Sequence, residues 1–437
     1  MTKQSPRQMA MMLLHRMEQN NAYSNIVLDS FFSKESLNQR DRDYITQLFY
    51  GVLEQKITLD YMMSNYIKIN KTQHRVLIIL RMAFYELVYL NAKDYAVVNE
   101  YVDLAKAIGL KNAVGFINAV LRSFIRDDKK VKYPLKSKDK VNYLRTLYSC
   151  SSWIVDELIR DYGFETADMF LKQQLYKPSV AIRVNTTKIG ANELIFKLKQ
   201  DGIEVVSSKV PNCLIVKSGN VIKTKAFADG LFHVQDISSQ LCSLVVSYFK
   251  PSTVLDVCSA PGGKAFTIAE ETNAKILACD IYPKRVGLIE KGIKRLGLSN
   301  NIDVLIHDAK TAIEKQFDLV LCDVPCSGLG VMRRKPEIKY KKKRDVDELR
   351  NEQYAIICEA SKSVKCGGYL VYSTCTLRKY ENEDIVNLFL SNNCEFEICH
   401  LPQFMRNYFE NFSDMLTMIS GELDCDGFFL TILKRKI

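Results

Sequence analysis

The 437-residue chain carries a formal net charge of +11, with 47 % hydrophobic and 25 % charged residues, the balance of a folded globular protein. No run of about 18 apolar residues is present, which excludes a helical membrane span, and the opening MTKQSPRQMAMMLLHRMEQ lacks the order of a secretory leader. A multidomain chain of roughly two to four domains, cytoplasmic and away from membranes, is expected.

The 13 cysteines are odd in number and irregularly spaced between Cys150 and Cys425. That argues for free thiols in a reducing compartment rather than a disulfide framework. Cys322 with Cys326, and Cys394 with Cys399 and His400, match no paired zinc-site spacing, so no metal is expected.

Residues 1–125 read as all-helical. Gly and Pro are sparse there, and Val98, Val102, Ala105 and Ile108 form a helical stripe closed by Gly109, where a C-cap belongs. The run VLIILRMAFYELVYL, from Val76 to Leu90, is apolar almost all round, which predicts a helix inside a bundle. Residues 126–149 read as a basic linker with Pro134; from 121 to 150 there are nine basic residues against three acidic ones. Residues 150–235 predict a small α+β unit, with a helix from Trp153 to Tyr162 ended by Gly163 and strand-like runs VAIRVNTT and CLIVKSG. From 236 to 437 short apolar runs (TVLDVC, ILACD, IDVLIHD, FDLVLCDVP, GYLVYSTC) alternate with helical stretches such as Lys284–Leu296 and 349–364. That alternation predicts a doubly wound parallel sheet, and DGFFLTILKRK adds a final strand. RRKPEIKYKKKR, from Arg333 to Arg344, sets eight basic residues against Glu337 and reads as a phosphate-binding loop headed by Arg333, Arg334 and Lys335.

The first strand of that sheet ends in Asp256, followed by Val257, Cys258, Ser259, Ala260, Pro261, Gly262, Gly263 and Lys264. Small residues and paired glycines at a strand-to-helix turn let a ligand approach the backbone, and the helix N-terminus offers free N–H groups. The turn is neither GxGxxG nor a nucleotide-triphosphate loop, and it suits a carboxylate-bearing methionyl tail better than a pyrophosphate. Asp280, at the second strand end, is placed for ribose hydroxyls, and Asp308, at the third, for an adenine amino group. One strand-end Asp is weak evidence, because such residues cap turns; three in succession point to a nucleoside site.

The fourth strand ends in Asp323-Val324-Pro325-Cys326-Ser327-Gly328 and the fifth in Ser373-Thr374-Cys375-Thr376. Both cysteines follow parallel strands at the carboxyl edge and lie in polar turns, where a thiol can be partly exposed and its pKa lowered. Cys150, Cys242, Cys279, Cys322 and Cys358 fit the ordinary role of small buried hydrophobes.

DVCSAPGGK, DVPCSGLG and YSTCT resemble the signature segments of the RNA 5-methylcytosine methyltransferases, over about residues 150 to 437. LRMAFYELVYL, VVNEYVDLAKAIG and GFINAVLRSF resemble the NusB-like RNA-binding helical domain. Together the halves resemble the bacterial 16S rRNA cytosine-C5 methyltransferases. That resemblance implies a NusB-like domain, an RRM-like insert and a Rossmann-like catalytic domain binding S-adenosyl-L-methionine, with 16S rRNA as partner; a monomer is expected. It implies Cys375 as the nucleophile at carbon 6 of cytosine, Cys326 in resolving the adduct, and Asp323 in holding the base and assisting protonation at nitrogen 3. The cofactor would lie on Cys258 to Lys264, Asp280, Asp308 and Asp323. The chain departs from the family pattern at Ser259 (usually Ala), Thr376 (usually Ser) and RKYENED, which lacks the usual nearby proline.

A stacked cytosine cannot meet Cys375, so the target is single-stranded or flipped out. Arg183, in RVN, is a candidate phosphate contact, against a structural ion pair. Trp153, the single Trp, is expected to pack. Three alternatives stay open: exchanged cysteine roles with Cys326 attacking, a tRNA substrate, and a non-catalytic rRNA-binding assembly factor.

Overall fold

The computed structural model describes residues 4–20, 23–409, 412–419 and 423–436. Its contacts divide the chain into two compact units. One comprises the residues through Tyr176 together with Met332–Lys341; the other comprises Lys177–Val331 and Lys342–Ile437.

The first unit is helical. Its central helix, His74–Tyr89, is buried at every position from Val76 to Leu87, as its all-round apolar sequence requires. Two of those positions are charged and survive burial through partners. Glu86 accepts hydrogen bonds from Arg7 Nε (2.9 Å), Tyr44 (2.6 Å) and Tyr101 (2.7 Å), and Arg81 pairs with Asp60 at 2.7 Å. The helix Asp94–Ala107 ends as the Gly109 signal predicts. Gly109 takes φ +81°, its N–H reaches the Lys106 carbonyl, and the Leu110 N–H reaches that of Ala105.

Two expectations change here. The segment read as a linker carries a helix, Lys140–Tyr148, because Asp139 caps it by accepting the Asn142 N–H at 2.9 Å. The helix expected from Trp153 to Tyr162 runs Ser152–Tyr162 and is followed by a second, Phe164–Gln173, and by contacts both group with the helical unit.

The basic run after Arg333 also differs from a solvated loop. Pro336–Tyr340 forms a 3-10 turn with Pro336, Ile338 and Lys339 buried. Lys339 has no exposed surface, its ammonium donates to the Tyr148 carbonyl at 3.3 Å, and burial lowers its pKa. Tyr340 donates to the Leu53 carbonyl at 2.5 Å, and Glu337 accepts the Ser24 hydroxyl at 2.8 Å. Apolar residues between the lysines anchor the segment, and charge counting alone hides them.

The second unit opens with β1 (Val180–Val184), β2 (Glu204–Ser207), β3 (Cys213–Ser218) and β4 (Phe232–Val234), with helices Ala191–Gln200 and Lys225–Ala228 in the crossovers. The antiparallel order β2-β3-β1-β4 is a ferredoxin-like βαββαβ arrangement. Ile182, Val184, Leu194, Leu198, Leu214 and Phe232 are among its core residues.

The large sheet uses β5 (Thr253–Asp256), β6 (Lys275–Asp280), β7 (Ile302–Ile306), β8 (Phe317–Asp323), β9 (Val364–Thr374), β10 (Phe396–Cys399), β11 (Met415–Met418) and β12 (Phe428–Arg435). The order β7-β6-β5-β8-β9 is parallel throughout, and β12 joins β9 antiparallel, bonded on its other edge to β10 and β11. Alternate residues feed two cores. Val254, Leu319 and Leu321 share one with Leu241, Ile268 and Ile289, whereas Leu255, Val320 and Tyr372 share the other with Ile357 and Phe389. Helices therefore cover both faces, as apolar strands on a parallel sheet demand. Strand order reverses between β5 and β8, and ligands in such sheets bind at the carboxyl ends beside that switch. Asp256 and Asp323 end those two strands.

Candidate active site

The turn after β5 is shaped by its small residues. The Ala260–Pro261 peptide is cis, and Gly262 takes φ +107° as the N-cap of the helix Gly263–Glu271. A Cβ on Gly262 would lie 2.3 Å from the Phe266 ring, so this position needs glycine for both conformation and space. The Ser259 N–H donates to the Cys279 carbonyl and the Gly262 N–H to that of Ser259, which folds the turn back over β6.

Asp256 is buried, and neither carboxylate oxygen has a hydrogen-bond partner among the described residues. Burial pushes its pKa up to about 7, with the Ser259 hydroxyl and Lys264 opposing. An unpartnered buried carboxylate is costly unless something cationic or protic meets it. Asp280, also buried, accepts the Tyr282 N–H at 3.0 Å and pairs with Arg285 at 3.3 Å. Asp308 is half-exposed and accepts the Lys310 N–H at 3.0 Å, the turn-capping alternative for a strand-end acid.

Across the switch, Lys264 donates to Asp323 Oδ2 at 2.6 Å, and Ser373 donates to Oδ1 at 2.9 Å. Burial alone would lower the Lys264 pKa, but Asp323 reverses this and the shift is upward. The ammonium also stands 5.2 Å from the centre of the Phe428 ring.

The sulfur atoms of Cys326 and Cys375 lie 3.2 Å apart, neither in a disulfide and both residues half-buried. Parallel pairing of β8 with β9 produces this meeting, since Asp323 stands opposite Ser373 and each cysteine follows within three residues. The expected lowered pKa is not found at Cys326. Its hydrogen bond with Cys375, then burial, push it well above the ordinary thiol value. Of the expected buried cysteines, Cys150, Cys242, Cys279 and Cys322 are buried and Cys358 is half-buried.

A buried polar brace holds the two cysteine loops together, and the sequence offered only its ENE letters as a signal. Glu381 Oε2 accepts from the Ser327 N–H (2.8 Å) and from Gln353 (3.0 Å). Gln353 also donates to the Pro325 carbonyl at 2.9 Å, and Arg378 reaches Glu381 Oε1 at 3.3 Å. Asn382 accepts from Thr374 (2.7 Å) and donates to the Thr376 carbonyl (3.0 Å), while Ser327 and Thr376 share a 2.7 Å bond. The Gly330 N–H donates to the Cys375 carbonyl, and Gly330 in turn meets Gly427 so closely that a Cβ would sit 1.9 Å from the Gly427 oxygen. Such contacts join residues far apart in sequence, which spacing cannot reveal.

Two expected RNA contacts are corrected. Arg183 has no exposed surface; it pairs with Glu271 and donates to the Pro211 carbonyl at 2.5 Å, so its role is structural. Arg333 is buried, with its backbone N–H on Gln174 Oε1 at 3.1 Å. Arg334 and Lys335 are partly exposed, and the Lys335 ammonium lies 5.1 Å from the Tyr23 ring centre. Trp153 is half-buried rather than core, its indole N–H donating to the Lys341 carbonyl at 2.8 Å.

Comparison with known proteins agrees with this architecture. A family model for 16S rRNA methyltransferase RsmB/F matches residues 245–434, one for the NusB family matches 4–126, and one for the RsmF/B-like ferredoxin-like domain matches 150–223. The chain is 36 % identical to the Probable ribosomal RNA small subunit methyltransferase B of Bacillus subtilis (strain 168), covering 100 % of both chains. It is 31 % identical to the protein of the same name from Synechocystis sp. (strain ATCC 27184 / PCC 6803 / Kazusa), covering 99 % of both. The crystal structure of PH0851 shares the fold, with a TM-score of 0.79 at 24 % identity over 99 % of each chain. The chain belongs to the RsmB/F family of 16S rRNA methyltransferases.

Proposed function

We propose that this protein methylates carbon 5 of a cytosine in 16S rRNA, with Cys375 as covalent nucleophile and S-adenosyl-L-methionine as methyl donor. The observation that carries the reading is the 3.2 Å approach of two thiols outside any disulfide at adjacent strand ends, the first of them three residues after Asp323, which Lys264 holds.

The residues present fit that donor. The unpartnered Asp256 carboxylate suits its ammonium group, and the free N–H groups opening Gly263–Glu271 suit its carboxylate. Asp280 and Asp308 would take the ribose and adenine, and the turn from Cys258 to Lys264 would border them. Bound there, S-adenosyl-L-methionine supplies an electrophilic methyl group.

Carbon 5 of cytosine is a poor nucleophile. Addition of the Cys375 thiol, its sulfur to carbon 6 and its proton to nitrogen 3, turns the ring into an enamine-like species that can accept a methyl group, splitting one hard step into easier ones. Asp323, fixed by Lys264 and Ser373, holds the base edge and favours a proton on nitrogen 3. Cys326, whose thiol is held protonated, can donate a hydrogen bond toward the Cys375 sulfur, in keeping with Cys375 as the attacking atom. After transfer the carbon 5 proton must leave. With Cys375 bonded to carbon 6, Cys326 gives up its own proton to solvent, and the resulting thiolate takes the carbon 5 proton. Loss of that proton expels Cys375.

The test is direct. The protein is incubated with a protein-free 16S rRNA transcript and S-adenosyl-L-methionine, and the RNA is digested to nucleosides for mass spectrometry. The reading requires 5-methylcytidine, absent when Cys375 is Ala. A different methylated nucleoside, or the same product from Cys375→Ala, contradicts it.

A further inference from the structure

Two thiols in contact can do more than attack a base. The sulfur atoms of Cys326 and Cys375 stand 3.2 Å apart, and a disulfide requires about 2.05 Å, so closure asks about 0.6 Å of travel from each side chain. The backbone holds the pair ready for it. The cysteines follow neighbouring parallel strands, β8 and β9. Neighbouring strands lie about 4.8 Å apart, inside the range of roughly 4.4–6.8 Å that disulfides span between Cα atoms. Gln353 donating to the Pro325 carbonyl, Glu381 accepting the Ser327 N–H, and the Gly330 N–H on the Cys375 carbonyl fix the two loops beside the sulfurs.

Access and protonation favour the same pair. Both residues are half-buried, which admits a small oxidant, whereas Cys150, Cys213, Cys242, Cys279, Cys322 and Cys425 are buried. The contact with Cys375, then burial, hold Cys326 protonated. Oxidants react with the thiolate, so Cys375 is the sulfur that meets one first.

We propose that Cys326 and Cys375 form a reversible oxidation site, closed to a disulfide by hydroperoxides and reopened by dithiols. With hydrogen peroxide, Cys375 forms a sulfur–oxygen bond as the oxygen–oxygen bond breaks, giving a sulfenic acid and one water. The Cys326 sulfur then displaces the hydroxyl, which leaves with the Cys326 proton as a second water. The two thiols lose two electrons and the peroxide gains them. A dithiol returns both thiols by exchange and departs as its own disulfide. While the bond is closed, neither sulfur can add to carbon 6 or take the carbon 5 proton, so methyl transfer stops. Cys326 also shields Cys375 from further oxidation to sulfinic acid, which dithiols do not reverse. The site itself needs only the sulfur contact; its effect on methylation rests on the catalytic reading above.

The experiment uses the full-length protein, reduced, freed of reductant and treated with a small excess of hydrogen peroxide. Remaining thiols are alkylated and the peptides mapped by mass spectrometry. Wild type should yield a linked Cys326–Cys375 peptide and lose about tenfold or more of its activity on the 16S rRNA transcript, while binding S-adenosyl-L-methionine as before. Dithiothreitol should remove the link and restore activity. Cys326→Ser should instead collect sulfinic acid on Cys375, beyond rescue by dithiothreitol. Cys366→Ser/Cys394→Ser, which removes two exposed thiols, should behave as wild type. Three results overturn the proposal: Cys375 sulfinic acid building up as fast in wild type as in Cys326→Ser, a link from Cys375 to another cysteine, or a pair still reduced when Cys366 and Cys394 are oxidised. The link is read by mass, so untreated protein that makes no 5-methylcytidine sinks the catalytic reading and leaves this test standing.

Discussion

At the scale of single residues, the site is set by which polar groups are left alone and which are tied down. Asp256 is left alone, and its carboxyl pKa moves from an ordinary 3.8 to about 7. The folded state thus holds this proton more tightly than the unfolded chain does. Asp256 contributes stability at acid pH that is lost as pH rises from about 4 to about 7. Cofactor binding runs the other way, since an ammonium group needs the ionised form. Calorimetric titration with S-adenosyl-L-methionine should show affinity rising about tenfold per pH unit up to about 7 and then levelling. Asp256→Asn should bind weakly with a flat profile; an unchanged profile would remove Asp256 from the cofactor site. The three strand-end acids were legible as a set because each closes an apolar run. Their different states were not. Burial of Asp256 and the Arg285 partner of Asp280 depend on neighbours the strands do not name. The cysteines behave likewise: adjacency follows from parallel pairing, yet the upward shift at Cys326 follows from the contact itself.

At the scale of elements, close backbone approach and buried anchors matter most. Gly330 and Gly427 hold the loop after Cys326 against the segment entering β12, with the Gly427 N–H on the Gly330 carbonyl at 2.9 Å. Gly330→Ala would force a methyl to 1.9 Å from the Gly427 oxygen. That overpacking should cost about 1–3 kcal/mol, read as a lowered thermal midpoint, and should slow methyl transfer by displacing the Cys375 carbonyl. A midpoint within error of wild type would show that the loops are not locked there. Lys339 makes the opposite case. Its buried ammonium has a lowered pKa, so the folded state binds this proton less tightly than the unfolded chain, and stability rises with pH toward 10.5. Lys339→Met removes a buried charge at similar volume and should raise the neutral-pH midpoint. A fall would mean that the bond to the Tyr148 carbonyl outweighs the burial of charge. Charge density made this segment look like a solvated RNA loop, whereas Pro336, Ile338 and Tyr340 decide its placement.

At the scale of the molecule, a helical unit, a small α+β unit and a doubly wound sheet were legible from periodicity, because each architecture has its own hydrophobic rhythm. The affiliation of the helices Ser152–Tyr162 and Phe164–Gln173, which group by contacts with the helical unit, was not legible, since an amphipathic helix does not announce which core it joins. The net charge of +11 suits a polyanionic substrate, but a count does not say which of those charges solvent reaches. Arg183 and Arg333 are internal, while Lys68, Lys71 and Lys111 are open.

The central claim is the division of labour between two touching thiols, and trapping the adduct tests it most directly. Cys326→Ala and Cys375→Ala proteins are each incubated with the 16S rRNA transcript and S-adenosyl-L-methionine, then run on a denaturing gel. The account predicts a slow-migrating protein–RNA band with Cys326→Ala, where addition proceeds and release fails, and none with Cys375→Ala. A band with Cys375→Ala, or none with either variant, would contradict it.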